Sequence, residues 1–361
     1  MKYDFLIVGC GFSGAVLARE LAEANKSVKI IDTRKHIGGN AFDIKDKNGI
    51  LIHPYGPHIF HTNSDKIFAY LSKYTKWRFY EHRVLARNKS KHYQIPINLN
   101  TINSFFNLSL NEKQVESFFE KIRIKKNKIK TSEDVVLNSV GEELCDAFFR
   151  GYTKKQWDLD LSELSAGVAS RIPTRTNKDD RYFSDKYQFM PKKGYSDLFK
   201  NLLNHSSISI DLGVDFFESR DRYSYKNLIY TGPIDKFYNF KYGKLPYRSL
   251  IFKHEFYKKP SYQKAATINF PNEYKFTRIT EFKKITGQKH EGTSIVREYS
   301  RSSGDPYYPV PNKKNESLFK KYQQLAKKEK NTYFVGRLAE YRYYNMDQVV
   351  GAALTLARKL C

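Results

Sequence analysis

The sequence predicts an α/β fold: a parallel, nucleotide-type sheet that the chain begins, leaves and rejoins, with a helical insertion and an antiparallel sheet in between. Three observations carry this. An apolar run, Phe5 to Val8, enters the cluster Gly9-Cys10-Gly11-Phe12-Ser13-Gly14. A helical pattern follows, with Val16, Leu17 and Leu21 on one face, and then a second apolar run, Val28 to Ile31, closing on Asp32. Short β-like runs return at Ile208 to Ile210, Leu228 to Tyr230 and Thr332 to Val335. Longer strand-like runs gather between them at Arg248 to Phe256, Ala265 to Phe270, Phe276 to Phe282 and Thr293 to Tyr299, a spacing that suits antiparallel pairing.

The first unit predicts a parallel pair with a right-handed crossover through a helix over Ala15 to Ala24. In Gly9-x-Gly11-x-x-Gly14 the first glycine makes the tight turn. The second lets backbone approach a pyrophosphate, and the third lets helix and strand pack closely. The helix start, with Ser13, offers free N–H groups to phosphate. Asp32, 18 residues past Gly14, stands where an acid holds ribose hydroxyls. A glycine-rich turn at a packed strand–helix junction would account for the glycines alone. Strand, helix, second strand and terminal acid together specify a Rossmann-type dinucleotide site. NAD and FAD both fit that much. The later pair Gly38-Gly39 with Asn40, and Gly336-Arg337 followed by Met346-Asp347 at the start of the last helix, favour the larger FAD.

Residues 63–160 read as mostly helical: Asp65 to Tyr74, Leu110 to Ile124, and Ser132 to Phe149 with an interruption at Gly141. Pro96 breaks an extended stretch between the first two. Another helix is expected over Asn315 to Lys328. The resulting division is a discontinuous FAD-binding domain (1–62, about 195–240 and 315–361), a helical domain (about 63–160), and an antiparallel sheet domain (about 161–194 and 241–314).

Lys plus Arg exceeds Asp plus Glu by 63 to 38, a net +25 that attracts nucleic acid, acidic lipid or diphosphates. The lysines are scattered, and the densest block, Lys121 to Lys130, reads as a solvated face or loop. A basic polyanion-binding protein is therefore one reading of the chain, but no nucleic-acid module signature supports it. Cys10, Cys145 and Cys361 are odd in number and lack CxxC spacing, so no disulfide framework and no metal site is expected, and a reducing cytoplasm fits. No apolar run reaches the roughly 18 residues of a membrane span. Asp4 followed by glycines is unlike a signal peptide.

At Gly56-Pro57-His58-Ile59-Phe60-His61-Thr62-Asn63 the sequence resembles the bacterial UDP-galactopyranose mutase family. The resemblance continues through Ile95-Pro96-Ile97-Asn98, Gly151-Tyr-Thr-Lys-Lys-Gln-Trp157, Arg171-Ile172-Pro173 and Tyr182-Phe-Ser-Asp-Lys-Tyr-Gln188. It runs on to Asp305-Pro-Tyr-Tyr-Pro309 and Gly336-Arg-Leu-Ala-Glu-Tyr341. It implies a flavoenzyme, active with reduced FAD, that interconverts the pyranose and furanose forms of UDP-galactose without net redox change. N5 of the flavin would attack the anomeric carbon and expel UDP. The resemblance also implies a homodimer.

Residue roles follow from the same resemblance. Arg171 and Arg278 match arginines that handle the diphosphate, and a planar fork can pair two phosphate oxygens; a surface ion pair is the plainer reading of Arg171. Tyr182, Tyr308 and Tyr343 match tyrosines that donate to the diphosphate, although any one alone would read as a core or rim aromatic. Phe148, Tyr152, Thr153 and Trp157 match the uridine side, with Trp157 in a mobile loop, or else a simple core tryptophan. Asn269 matches an asparagine near the substrate. His58, Ile59 and His61 fall against the flavin. His61 would order its N5 edge or contact the sugar, with no proton-transfer role assigned. Departures from the family pattern are Asn345 where an aspartate is common, Val335 before Gly336 where a glycine pair is usual, and Phe282 where a histidine is usual. The rival enzyme reading is an FAD-dependent oxidoreductase on a related scaffold, which would have no use for paired arginines beside a uridine-stacking loop.

Overall fold

The computed structural model describes residues 2–361. Five parallel strands form one sheet in the order Ile208–Leu212, Val28–Asp32, Lys2–Val8, Ser224–Tyr230, Thr332–Phe334. Its central strands are apolar almost throughout because both faces are covered. Successive side chains alternate between those faces. Phe5, Ile7, Val28, Ile30 and Ile229 pack under helices Phe12–Glu23, Tyr195–Leu203 and Met346–Leu360. Leu6, Ile31, Leu228 and Tyr230 pack with Phe216 on the other side.

The first helix starts at Phe12 rather than Ala15, directly on its N-cap Gly11. The turn before it is built for glycine. Gly9 has φ +107°, and a Cβ on Gly14 would overlap the Gly9 carbonyl oxygen.

The second sheet has seven strands in the order Tyr308–Pro309, Tyr247–Tyr257, Thr293–Arg301, Arg278–Glu281, Thr267–Asn269, Val84–Asn88, Lys91–Ile95. All neighbours are antiparallel except Thr267–Asn269 with Val84–Asn88. Two expectations are corrected here. The hairpin 84–95, inside the stretch read as mostly helical, belongs to this sheet, and the sheet is mixed rather than wholly antiparallel. The hairpin's period-2 residues Val84, Ala86, Tyr93 and Ile95 are buried against the helices, so the sheet is also the floor of the helical region. The strand expected to run through Phe282 stops at Glu281. Phe282 starts a short helix and is fully buried with Ile50, Ile52 and Val296.

Helices Leu99–Phe106, Glu112–Ile122 and Ser132–Cys145 close around Ile102, Val115, Phe119, Leu137 and Leu144. Gly141 breaks the last of these with φ +77°, and the position needs glycine, since a Cβ there would also overlap the Ile122 carbonyl. A π-helical turn, Asp146–Arg150, leads into helix Gly151–Trp157. A third, three-stranded sheet sets Phe60–Thr62 and Trp77–Phe79 on either side of Tyr187–Pro191. Cys10 and Cys145 are buried and Cys361 is exposed, all as free thiols. Among the described residues no helix is long and apolar enough to cross a membrane.

Candidate active site

A cavity of about 440 Å³ opens at the carboxyl ends of the parallel strands. Ligands of doubly wound sheets sit at this end. Of the residues expected at a cofactor, Gly9, Gly11, Ser13, Asp32, Gly39, Asn40, His58, Gly336, Arg337 and Met346 line it. Gly14, Ile59 and Asp347 do not. Gly14 serves helix packing, and Ile59 flanks the apolar core. Asp347 accepts from the Thr62 hydroxyl at 2.9 Å.

The cavity suits a dinucleotide on two structural grounds. A Cβ on Gly11 would point into open space, with Gly39 Cα its nearest protein atom at 3.8 Å, so backbone faces the cavity from both glycine turns. At one end Asp32 is locked by backbone N–H donors, Cys10 at 2.7 Å and Arg34 at 2.8 Å, which leaves its remaining lone pairs for a ribose. The far end reaches His58, Arg337 and Met346. Thr231, Asp305 and Tyr307 also line the cavity. Asp305 and Tyr307 lie in a stretch that the sequence singles out, but nothing in that stretch tells which side chains face the cavity.

Beyond that far end the second sheet presents a polar row. Asn269, Arg278 and Glu298 are register partners on three adjacent strands, so they share one face. Arg278 donates to Glu298 at 2.7 Å, and Glu298 is only 1% exposed. One oxygen of Glu298 and the side-chain oxygen of Asn269 are buried without a partner among the described residues, which marks a place for a polar ligand or water. Glu298 escaped the sequence reading because a charged pair, Arg297-Glu298, in a strand looks like a solvated edge.

Four tyrosines close around this row. The electrostatic surroundings of Tyr152, Tyr182 and Tyr308 all include Arg278, and those of Tyr182 include Arg171 as well. Tyr308 and Tyr343 meet edge to face at 5.2 Å. Arg171, the last residue of the 3₁₀ helix Ala166–Arg171, stacks on Tyr343 with its guanidinium 4.1 Å from the ring centroid. It donates to the Tyr343 carbonyl at 3.4 Å and to the Asn345 side-chain oxygen. The two arginines thus differ: Arg278 is paired with a carboxylate, and Arg171 meets neutral acceptors among the described residues. Burial pushes Tyr308 up to about 12 and raises Tyr152 and Tyr182 too, so all three keep their O–H at neutral pH.

The histidines are held neutral or pinned. His58 donates from Nδ1 to the Gly56 carbonyl at 2.9 Å, and burial pulls its pKa down to about 3. Its Nε2 lone pair is then free for a donor. His61 pairs through Nδ1 with Asp185 at 2.9 Å and stacks on Phe183 at 3.7 Å. His82, which the sequence reading passed over, is held near 3 by burial, with the Arg278 charge close by adding to the effect.

Two uridine-side residues sit differently from expectation. Trp157 ends a helix instead of lying in a loop, and it is buried with Leu164 and Val310. It still reaches the tyrosines, 5.6 Å from Tyr343 and 6.3 Å from Tyr308. Phe148 is in the helical core between Tyr93 and Phe105, because the π-helical turn rotates it inward. Thr153 is buried on the helix that carries Tyr152.

Residues 147–343 match the family model described as UDP-galactopyranose mutase, and residues 7–74 match an NAD(P)-binding Rossmann-like domain. The chain belongs to the UDP-galactopyranose mutase family. Within it, the chain is 42% identical to a Klebsiella pneumoniae protein described as a probable UDP-galactopyranose mutase, over 98% of this chain and 94% of that one. It is 41% identical to a dTDP-fucopyranose mutase of Escherichia coli, over 98% and 97% of the two chains. The UDP-galactopyranose mutase of Mycoplasma genitalium is 32% identical over 99% and 95%. A crystal structure of reduced UDP-galactopyranose mutase superposes with a TM-score of 0.79 at 17% identity, covering 100% of this chain and 94% of that chain. That likeness fixes the shared fold of this mutase-family chain.

Proposed function

We propose that the chain interconverts the pyranose and furanose forms of UDP-galactose, with FAD as its cofactor. One observation carries the reading: two arginines and four tyrosines meet at the end of a cavity whose other features suit a dinucleotide. Bound FAD in its reduced state supplies an electron-rich nitrogen for the anomeric carbon, which a ring exchange without net redox requires.

The chain's own residues do the rest. Breaking the C1–O bond moves negative charge onto the diphosphate, and Arg171 carries a charge that no carboxylate among the described residues offsets. It is the residue suited to following that growth. Arg278, neutralised by Glu298, contributes directed N–H donors more than net charge. Tyr182, Tyr308 and Tyr343 donate phenolic O–H groups to phosphate oxygens. Neutral His58 offers its free nitrogen to a donor at the cofactor edge. His61, fixed by Asp185 and Phe183, shapes the same wall. Tyr152, Thr153 and Trp157 hold the uridine.

The similarity to a dTDP-fucopyranose mutase favours one specific second reading, a 6-deoxy sugar on thymidine diphosphate. The test is product analysis by chromatography with dithionite-reduced enzyme, offered UDP-galactofuranose and, in parallel, dTDP-fucopyranose. Conversion of the first supports the proposal. Conversion of the second alone corrects the substrate, and conversion of neither overturns the activity.

A further inference from the structure

Lys155 lies on helix Gly151–Trp157, and its ammonium group is surrounded by main-chain carbonyls. The three N–H groups of Nζ are shared among the carbonyl oxygens of Phe270, Glu273 at 3.0 Å, Tyr274 at 3.3 Å and Phe276 at 3.4 Å. All four belong to the one loop, residues 270–277, that joins strands Thr267–Asn269 and Arg278–Glu281. The helix and the loop also touch directly. A Cβ on Gly151 would overlap the Asn272 side chain, and Asn272 donates to the carbonyls of Asp146 at 3.2 Å and Ala147 at 3.1 Å.

Carbonyls converging on one point repel each other and need a compact donor between them. An ammonium, with three N–H groups on a flexible stem, fits this geometry, and a planar guanidinium does not. The nearest carboxylate, Glu273, is already engaged by Arg87 at 3.0 Å. The charge of Lys155 is therefore spent on holding backbone.

The consequence lies at the two ends of the tie. The helix carries Tyr152, Thr153 and Trp157. The loop runs from Asn269 into Arg278. We propose that Lys155 is a positioning residue that sets the spacing between the nucleoside-binding helix and the strand bearing Arg278. This rests on reading the cleft as a nucleotide-sugar site. Lys155 itself touches no substrate. Its loss widens a gap that ground state and transition state span equally, so it weakens binding more than it slows chemistry.

The experiment uses flavin-loaded full-length enzyme. Lys155→Met keeps the length of the stem and removes the donors. The expected result is a KM raised about tenfold or more with kcat changed less than threefold, a matching loss of UDP affinity, and faster amide exchange confined to residues 270–277. Lys155→Cys in a Cys361→Ser background, alkylated with 2-bromoethylamine, restores an ammonium at the same reach. It should recover affinity and exchange protection together, and it keeps the question open to test if Lys155→Met folds poorly. Wild-type affinity in Lys155→Met, or no recovery on aminoethylation, would overturn the proposal. Wild-type enzyme that binds no UDP would overturn the site reading instead, which separates the two failures.

Discussion

Arg278 donates to a carboxylate, Glu298, that the fold has almost completely removed from water. A buried ion pair of this kind contributes little net stability, yet breaking it is costly, because the surviving charge stays buried alone. Arg278→Ala should therefore destabilise the fold by on the order of 3–5 kcal/mol as well as impair activity. Adding Glu298→Gln should return most of the stability and little of the activity. Urea melts of the single and double variants, read beside their kinetics, check this; an unaltered midpoint in Arg278→Ala would mean that the pair is already solvated.

Arg171 should behave differently. Its partners are a ring face, a main-chain carbonyl and an amide, so its removal leaves no buried charge behind. Arg171→Ala should keep wild-type stability and lose on the order of 10²–10³ in kcat. Arg171→Lys should recover part of that loss, since a point charge cannot pair two oxygens. Steady-state kinetics with dithionite-reduced enzyme decide it, and an unchanged kcat in Arg171→Ala would place leaving-group stabilisation elsewhere.

Asn345 offers a finer probe of the same arginine. Asn345→Asp converts the hydrogen bond to an ion pair and draws the guanidinium's charge toward the protein. The site is exposed, so the effect should be modest: KM up by about two- to fivefold, shrinking as salt is raised. A KM that falls instead would show that the carboxylate orders Arg171 more than it competes with the diphosphate.

Gly11 and Gly14 should separate cofactor binding from folding. The Cβ direction at Gly11 opens on the cavity, whereas at Gly14 it runs into the Gly9 carbonyl. Gly11→Val should give a stably folded, colourless protein. Gly14→Val should lose melting temperature before anything else. Absorbance at the flavin bands and thermal melts of the apoprotein test the pair, and a fully yellow Gly11→Val would remove this turn from the cofactor site.

Acid stability should carry the mark of His53, His58 and His82. Burial holds all three near 3, below the unfolded value of 6.5, so the unfolded chain binds more protons in between. Their contribution is fully present above about pH 6.5 and is lost progressively as pH falls toward 3. Denaturation midpoints should be flat from about pH 6.5 to 7.5, below the range in which Lys155, lowered by burial to about 8, loses its proton, and should fall between pH 6.5 and 5, where solvated carboxylates are still ionised. A flat midpoint through that window would mean that these rings gain water or partners in solution.

The parts of this architecture readable from sequence are those whose physics is local. The Gly9–Asp32 unit announces itself because glycine spacing, apolar runs and a terminal acid lie within one short stretch, and the kink at Gly141 shows in the residue that makes it. Residues that depend on distant partners were invisible. Glu298 becomes meaningful only when Arg278 is beside it, and His82 only when Tyr182 and Arg278 enclose it. The parallel pairing of Val84–Asn88 with Thr267–Asn269 joins strands nearly two hundred residues apart, and no periodicity reports it. The loop expected around Trp157 comes from the family resemblance, and the choice between it and a core tryptophan depends on Leu164 and Val310, partners outside its helix that bury the side chain.

The parallel sheet takes its strands from residues 2–32, 208–230 and 332–334, and the helix that supplies Met346 and Val349 to the cavity follows the last of those strands. During synthesis the first strand and the glycine turn therefore emerge long before the wall that completes their groove. A chain that has not yet extended past Val349 lacks part of the wall around the glycine turn. A fragment that ends before Met346 should therefore gain less thermal stability from ligand than the full chain does, because ligand stabilises a fold only as far as the fold completes its site.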